Sequence, residues 1–235
     1  PRGAWVPCGH PVTMDSMSHP SQQVFGALHC SSGHLDTRTA ATVVGDDLHE
    51  GGLASIDLLL IFASYHHRAV LDQAVQSLRR MLMPRTLMAT TVESAVGGGM
   101  ELEGRSGFVA LALSLPGISL HPWHTTPVDP VALDDPDAAA GRIGLTDTHR
   151  VSLLLADPFT TPITRLIPAL SSCGGDRDVP LLGGMASGSS HPGENVLIQD
   201  DRVFTAGGIG VTISGNIAVD FIVSQGARPI GQPMV

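Results

Sequence analysis

Lysine is absent from this chain: all 13 basic residues are arginine, set against 22 acidic residues, for a formal net charge of -9. That absence removes Schiff-base catalysis and lysine-dependent phosphate loops. The negative balance repels a phosphate backbone, so nucleic acid is not an expected partner. Cysteine is scarce, and Cys8, Cys30 and Cys173 are too far apart to form a disulfide framework or a CxxC pair. A cytoplasmic or other reducing compartment is therefore the default expectation. No apolar run approaches the roughly twenty residues of a transmembrane helix, so no such segment is expected.

Catalytic signatures are missing as well. Gly184-Met185-Ala186-Ser187-Gly188 has the wrong spacing for a nucleophile elbow, and no G-x-G-x-x-G follows a strand. Pro1 cannot serve as an N-terminal hydroxyl or thiol nucleophile. Cys8, His10, His19, His29, Cys30 and His34 match no zinc spacing. No catalytic residue, metal or cofactor is named by these residues. The first residue is not methionine, which is expected of a processed chain or a fragment.

What is present is a globular composition, 43% hydrophobic and 15% charged, with a pattern that recurs. Residues 1–23 lack periodicity and read as an extended arm or leader remnant. Residues 24–30 read as a strand, and Asp36 or Thr37 caps a helix to about His49. An apolar run over 56–63 reads as a buried strand, and strand, helix, strand implies a parallel crossover. Leu71, Ala74, Val75, Leu78 and Leu82 give the next helix its inner face, and Pro84 stops it. A strand over 86–91 leads to Gly97-Gly98-Gly99, and 100–102 is expected to pair with 107–115.

The order then repeats. A strand over 151–156, a helix over 161–173 kinked at Pro168, a buried strand from Val179 and a second glycine break at Gly183-Gly184 follow, then strands at 195–198, 203–214 and 217–224. The expected fold is α/β (mixed α+β): two pseudo-symmetric β-α-β-hairpin repeats packed into one body with mixed sheets. Repeat one spans 53–116, a connection 117–149, repeat two 150–224, and a final segment 225–235.

Equivalent strand ends of the two repeats would converge over one cleft, where glycines let main-chain donors approach a ligand. The expected ligand-binding residues are Thr90, Thr91, Glu93, Ser94, Gly183, Gly184, Met185, Ser187 and Gly188, together with Arg228, whose guanidinium can grip a carboxylate through two hydrogen bonds. His66, His67 and Asp157 follow core strands and form a secondary set. The blander alternative is that the glycines only permit tight packing and that Arg228 pairs with a structural acid.

Several stretches taken in order resemble one family: Asp57 to His67, Gly97-Gly98-Gly99 with Glu101 and Glu103, Leu155 to Phe159, Leu182 to Gly188, and Gln225 to Gly231. Together they resemble the N-terminal part of the FIST domain, over roughly 25–235. The resemblance implies a sensory, signal-transduction module that binds a small molecule, an amino acid or small carboxylate. It also implies a C-terminal FIST region as a protein partner; the arm could hold another. Ala227 departs from the family, which more often has cysteine there. The competing reading is a structural or assembly subunit that keeps the fold without sensing, and an uncharacterised hydrolase is a third.

Overall fold

Continuous apolar runs along the central strands give each sheet two buried faces, and that pattern builds four layers. A computed structural model describes residues 12–13, 25–97, 99–127 and 135–222. The large sheet has the order β1 (Val12–Thr13), β2 (Gly26–Ser32), β7 (Phe108–Ser114), β3 (Leu58–Ser64), β4 (Thr86–Val92), β11 (Leu197–Gln199), β12 (Arg202–Phe204). The small sheet has the order β10 (Leu181–Met185), β9 (His149–Ala156), β13 (Gly208–Ser214), β8 (Ser119–Thr125). A separate hairpin joins β5 (Ala95–Gly97) to β6 (Met100–Leu102).

Along β3, Leu59, Ile61 and Ala63 face the helices α1 (Thr37–Glu50) and α2 (Leu71–Leu82). Leu58 and Leu60 face the other sheet, where they meet Val151, Leu153 and Leu155 of β9 and Ile209, Val211 and Ile213 of β13. The far side of the small sheet, with Leu154, Ala156 and Trp123, is covered by α3 (Pro136–Arg142) and α4 (Ile163–Ser172). The order of layers is thus helix, sheet, sheet, helix, with three apolar interfaces.

Local signals explain the helices. The side chain of Asp36 accepts from Thr39 N at 2.8 Å and starts α1. Leu71, Ala74, Val75 and Leu78 bury the inner face of α2, which ends at Met83 in the left-handed region, φ 47°, ahead of Pro84. Both β3-α2-β4 and β9-α4-β10 are parallel crossovers, as expected.

The four strands β2, β7, β3, β4 and the four strands β8, β13, β9, β10 share one order and one set of relative directions. A shared strand order is a topological likeness; it does not by itself make the halves superpose.

Several expectations are corrected. Residues 117–149 are more than a connection, since they supply β8 and α3. β2 and β3 run parallel but are not neighbours, because β7 lies between them. Met100–Leu102 pairs with Ala95–Gly97 rather than with β7, since Gly99 at φ 73° permits a tight turn between them. Residues 217–222 form no strand; Ile217 and Val219 reach the intersheet core from irregular backbone. β10 is a sheet edge, not a buried strand: Leu182 is 53% and Met185 37% exposed. Val12–Thr13 of the arm pair antiparallel with β2. Cys30 is disulfide-bonded while Cys173 is a free, buried thiol, so the cysteines give no ground for a reducing compartment. Among the described residues no helix is long and apolar enough to cross a membrane.

The burial contrast is measurable. Leu59→Ala, in the core beneath α1 and α2, is expected to cost about 2–5 kcal/mol of unfolding free energy. Leu182→Ala, on the exposed edge, is expected to stay within about 0.5 kcal/mol. Urea titration of the two variants checks both.

Candidate functional site

Parallel strands of both sheets end at the same side of the molecule, and there their C-terminal residues touch. The N–H of Ser187 donates to Thr91 O at 3.3 Å, and the N–H of Glu93 donates to Ser187 Oγ at 3.1 Å. A Cβ on Gly188 would lie 2.6 Å from Thr91 Cβ, so only glycine permits this approach. Thr91, Glu93, Ser187 and Gly188 are therefore brought together as expected.

The Thr91 hydroxyl there is not free for a ligand. Buried Thr91 donates from Oγ1 to Asn195 Oδ1 at 3.3 Å and accepts from Val196 N at 3.0 Å. Asn195 Nδ2 donates to Asp157 Oδ1 at 3.1 Å, and Asp157 Oδ2 accepts from Phe159 N, Thr160 N and Thr160 Oγ1. Asp157, Asn195 and Thr91 are fully buried, and this closed network clasps the two sheets. Asn195 escaped the sequence reading because it lies at a bend just before β11, with no motif around it. Thr90 is buried too, while Ser94 is exposed.

His66 and His67 diverge, as neighbours on a turn do. His66 is exposed, with Nδ1 3.2 Å from Ser64 Oγ. His67 is fully buried, with Nδ1 3.0 Å from Thr37 Oγ1 and Nε2 2.9 Å from Ser106 Oγ. Ser106 Oγ donates its proton to His34 O at 2.7 Å, so it accepts from Nε2–H, and Nδ1 accepts from Thr37. Burial, reinforced by the neighbouring His66, pushes the His67 pKa down to about 4. It is a neutral structural pin between β3, β7 and α1. Among the described residues no group of three potential ligands could hold a metal.

Among the described residues no hydrolytic relay emerges from the serines and histidines. Ser190 Oγ, at 3.3 Å, and Glu194, at 3.9 Å, both meet His191 at Nδ1, whereas a relay needs both ring nitrogens. Ser152 lies 3.1 Å from His149 Nε2 but is fully buried.

Open space lies on both sides of β10. One cleft of about 330 Å³ runs between the sheets, lined by Leu60, Phe62, Met88, Leu153, Leu155, Leu182, Gly183 and Gly184. Another, of about 430 Å³, lies toward α4, with Ile163, Ile167 and Val179 opposite the same strand. Gly183 approaches β9 so closely that a Cβ would overlap Leu154 O, whereas a Cβ on Gly184 would meet nothing within 4 Å. Of the expected site residues, Gly183, Gly184 and Met185 lie at this edge, apart from the buried threonines. Arg228 falls outside the described residues.

With that geometry in place, the comparisons decide the family: the model of the FIST N domain matches residues 57–235. The chain belongs to the FIST N domain family. Sensing and signal transduction are the roles proposed for that family. The FIST chain is similar to the uncharacterized protein Rv0628c of Mycobacterium tuberculosis, 31% identical over 207 residues, covering 85% of this chain and 50% of the relative. Another relative, the uncharacterized protein Mb0898c of Mycobacterium bovis, is 28% identical over 206 residues with the same two coverages of 85% and 50%. The chain spans about half the length of the curated relatives it matches.

His67 gives the FIST chain a pH dependence of defined sign. Its folded pKa lies below the ordinary value of 6.5, so between pH 6.5 and about 4 the unfolded chain binds a proton that the folded chain does not. Stability is therefore full above this window and is expected to fall by up to roughly 3 kcal/mol as pH drops through it. Denaturant titrations at pH 7 and pH 5 check this, and His67→Gln is expected to flatten the slope.

Proposed function

We propose that this FIST chain is a small-ligand-binding sensory module whose ligand lies in the cleft between the two sheets, beside Gly183 and Gly184. The observation that carries the reading is that cleft: about 330 Å³, walled by both sheets and open at an edge where Gly184 leaves room beside the backbone. Leu60, Phe62, Met88 and Leu182 supply an apolar wall with no charged side chain among its lining. An amino acid or small carboxylate with an apolar body fits this lining, its charged end at the mouth. The two layers read as a duplicated unit, and the ligand then sits where equivalent strands of the copies face each other.

A second reading has its own observation. Leu182 and Met185 stand exposed on an edge strand, as expected of an assembly subunit that retains the fold without sensing. Thermal-shift screening against amino acids and small carboxylates separates the two. For the sensory reading, a ligand at a hundred times its dissociation constant stabilises the fold by about 2.7 kcal/mol. Gly184→Leu, whose side chain enters the open space, is expected to abolish that shift while leaving the ligand-free melting temperature near that of the parent. A flat screen together with co-purifying partners would favour assembly instead.

A further inference from the structure

The small sheet ends at β10, whereas the large one continues past β4, its counterpart, through β11 and β12. β4 carries β11 along its outer side, with Leu197 opposite Thr90, Ile198 opposite Ala89 and Gln199 opposite Met88. β11 is apolar on both faces, Ile198 toward the helices and Leu197 toward the other sheet. β10, which holds the corresponding place beside β9, has nothing on its outer side among the described residues.

The correspondence is fixed by hydrogen bonds. The N–H of Ser64 donates to Gly107 O just as that of Asp157 donates to Gly207 O. Counting along the paired registers from there, Ala89 matches Gly183 and Thr90 matches Gly184. β11–β12 follows β10 in the chain, and β5–β6 follows β4 in the same way. With the first residues of β11 and β5 taken as equivalent, the counterpart of Leu197 opposite Thr90 is Ala95 opposite Gly184.

We propose that the β5–β6 hairpin is a strap that pairs antiparallel with the free edge of β10 and closes the intersheet cleft. Three further observations support it. Among the described residues β5 and β6 pair only with each other, so the outer backbone groups of both are unused by either sheet. Glu93, just before β5, is bonded to Ser187, just after β10, so the chain enters β5 at the end of β10 from which an antiparallel strand must start. Val96 is 75% exposed on a short hairpin whose strands could gain backbone partners at β10. Closure adds a wall to the cleft in which the ligand was placed, and in that respect it rests on the sensory reading. The strand pairing itself does not.

The test joins Ala95→Cys with Gly184→Cys, a site where an added Cβ meets nothing within 4 Å. In antiparallel register the two residues lie directly opposite, within disulfide reach, whereas Ala95→Cys with Leu182→Cys is diagonal and beyond it. Mild oxidation is expected to cross-link the first pair at least about tenfold faster than the second. Equal rates, or no cross-link in either, would overturn the strap and leave the sensory reading standing. Should the cysteine variants fail to fold, hydrogen exchange on the parent chain decides: protected outward amides on β10 support the pairing, and unprotected ones count against it. For the cleft, the probe is anilinonaphthalene sulfonate, expected to lose its fluorescence on cross-linking and recover it on reduction. Fluorescence unchanged by the cross-link would refute closure while leaving the pairing intact.

Discussion

Thr91 and Gly188 meet with no room for a Cβ between them, and the rest of the architecture depends on that contact. It draws the C-terminal ends of β4 and β10 together, so the two sheets share one functional end. The buried chain from Thr91 through Asn195 to Asp157 then holds them there, since each polar atom lost from it would leave a desolvated partner behind. A clasp of this kind is specific where the surrounding apolar interface is not: leucines of two sheets can slide, but satisfied hydrogen bonds fix the register.

Two consequences follow for the candidate site. Because the clasp consumes the Thr91 hydroxyl and Thr90 is buried beside it, the anticipated threonines are turned inward, and the cleft beside β10 is lined by apolar residues. Because β10 must pass close to β9 at Gly183, the strand carries glycines on its edge, and the intersheet cleft opens where side chains would otherwise have closed it. Site and clasp are thus separate products of the same glycine-rich segment.

Much of the fold was legible beforehand. The helical spacing of Leu71, Ala74, Val75 and Leu78, the cap at Asp36 and the crossovers β3-α2-β4 and β9-α4-β10 all follow from local patterns. Strand β8 was not, because SLHPWHT carries a proline and two histidines and finds its place only by pairing with β13. The partner of Met100–Leu102 was misread for the same reason: two short strands offer little pattern, and the turn at Gly99 decided between them.

By itself, then, the sequence determined which segments are helix or long strand, that the chain is α/β, and that glycines interrupt the apolar pattern at 183–184, since periodicity and backbone freedom are local properties. Only the tertiary structure decided that the threonines are sealed into a clasp, that His67 is a neutral pin, and that β10 lies at an open edge. Those outcomes depend on what comes to lie opposite each residue across the sheets, and burial and pairing between distant segments leave no trace in local pattern.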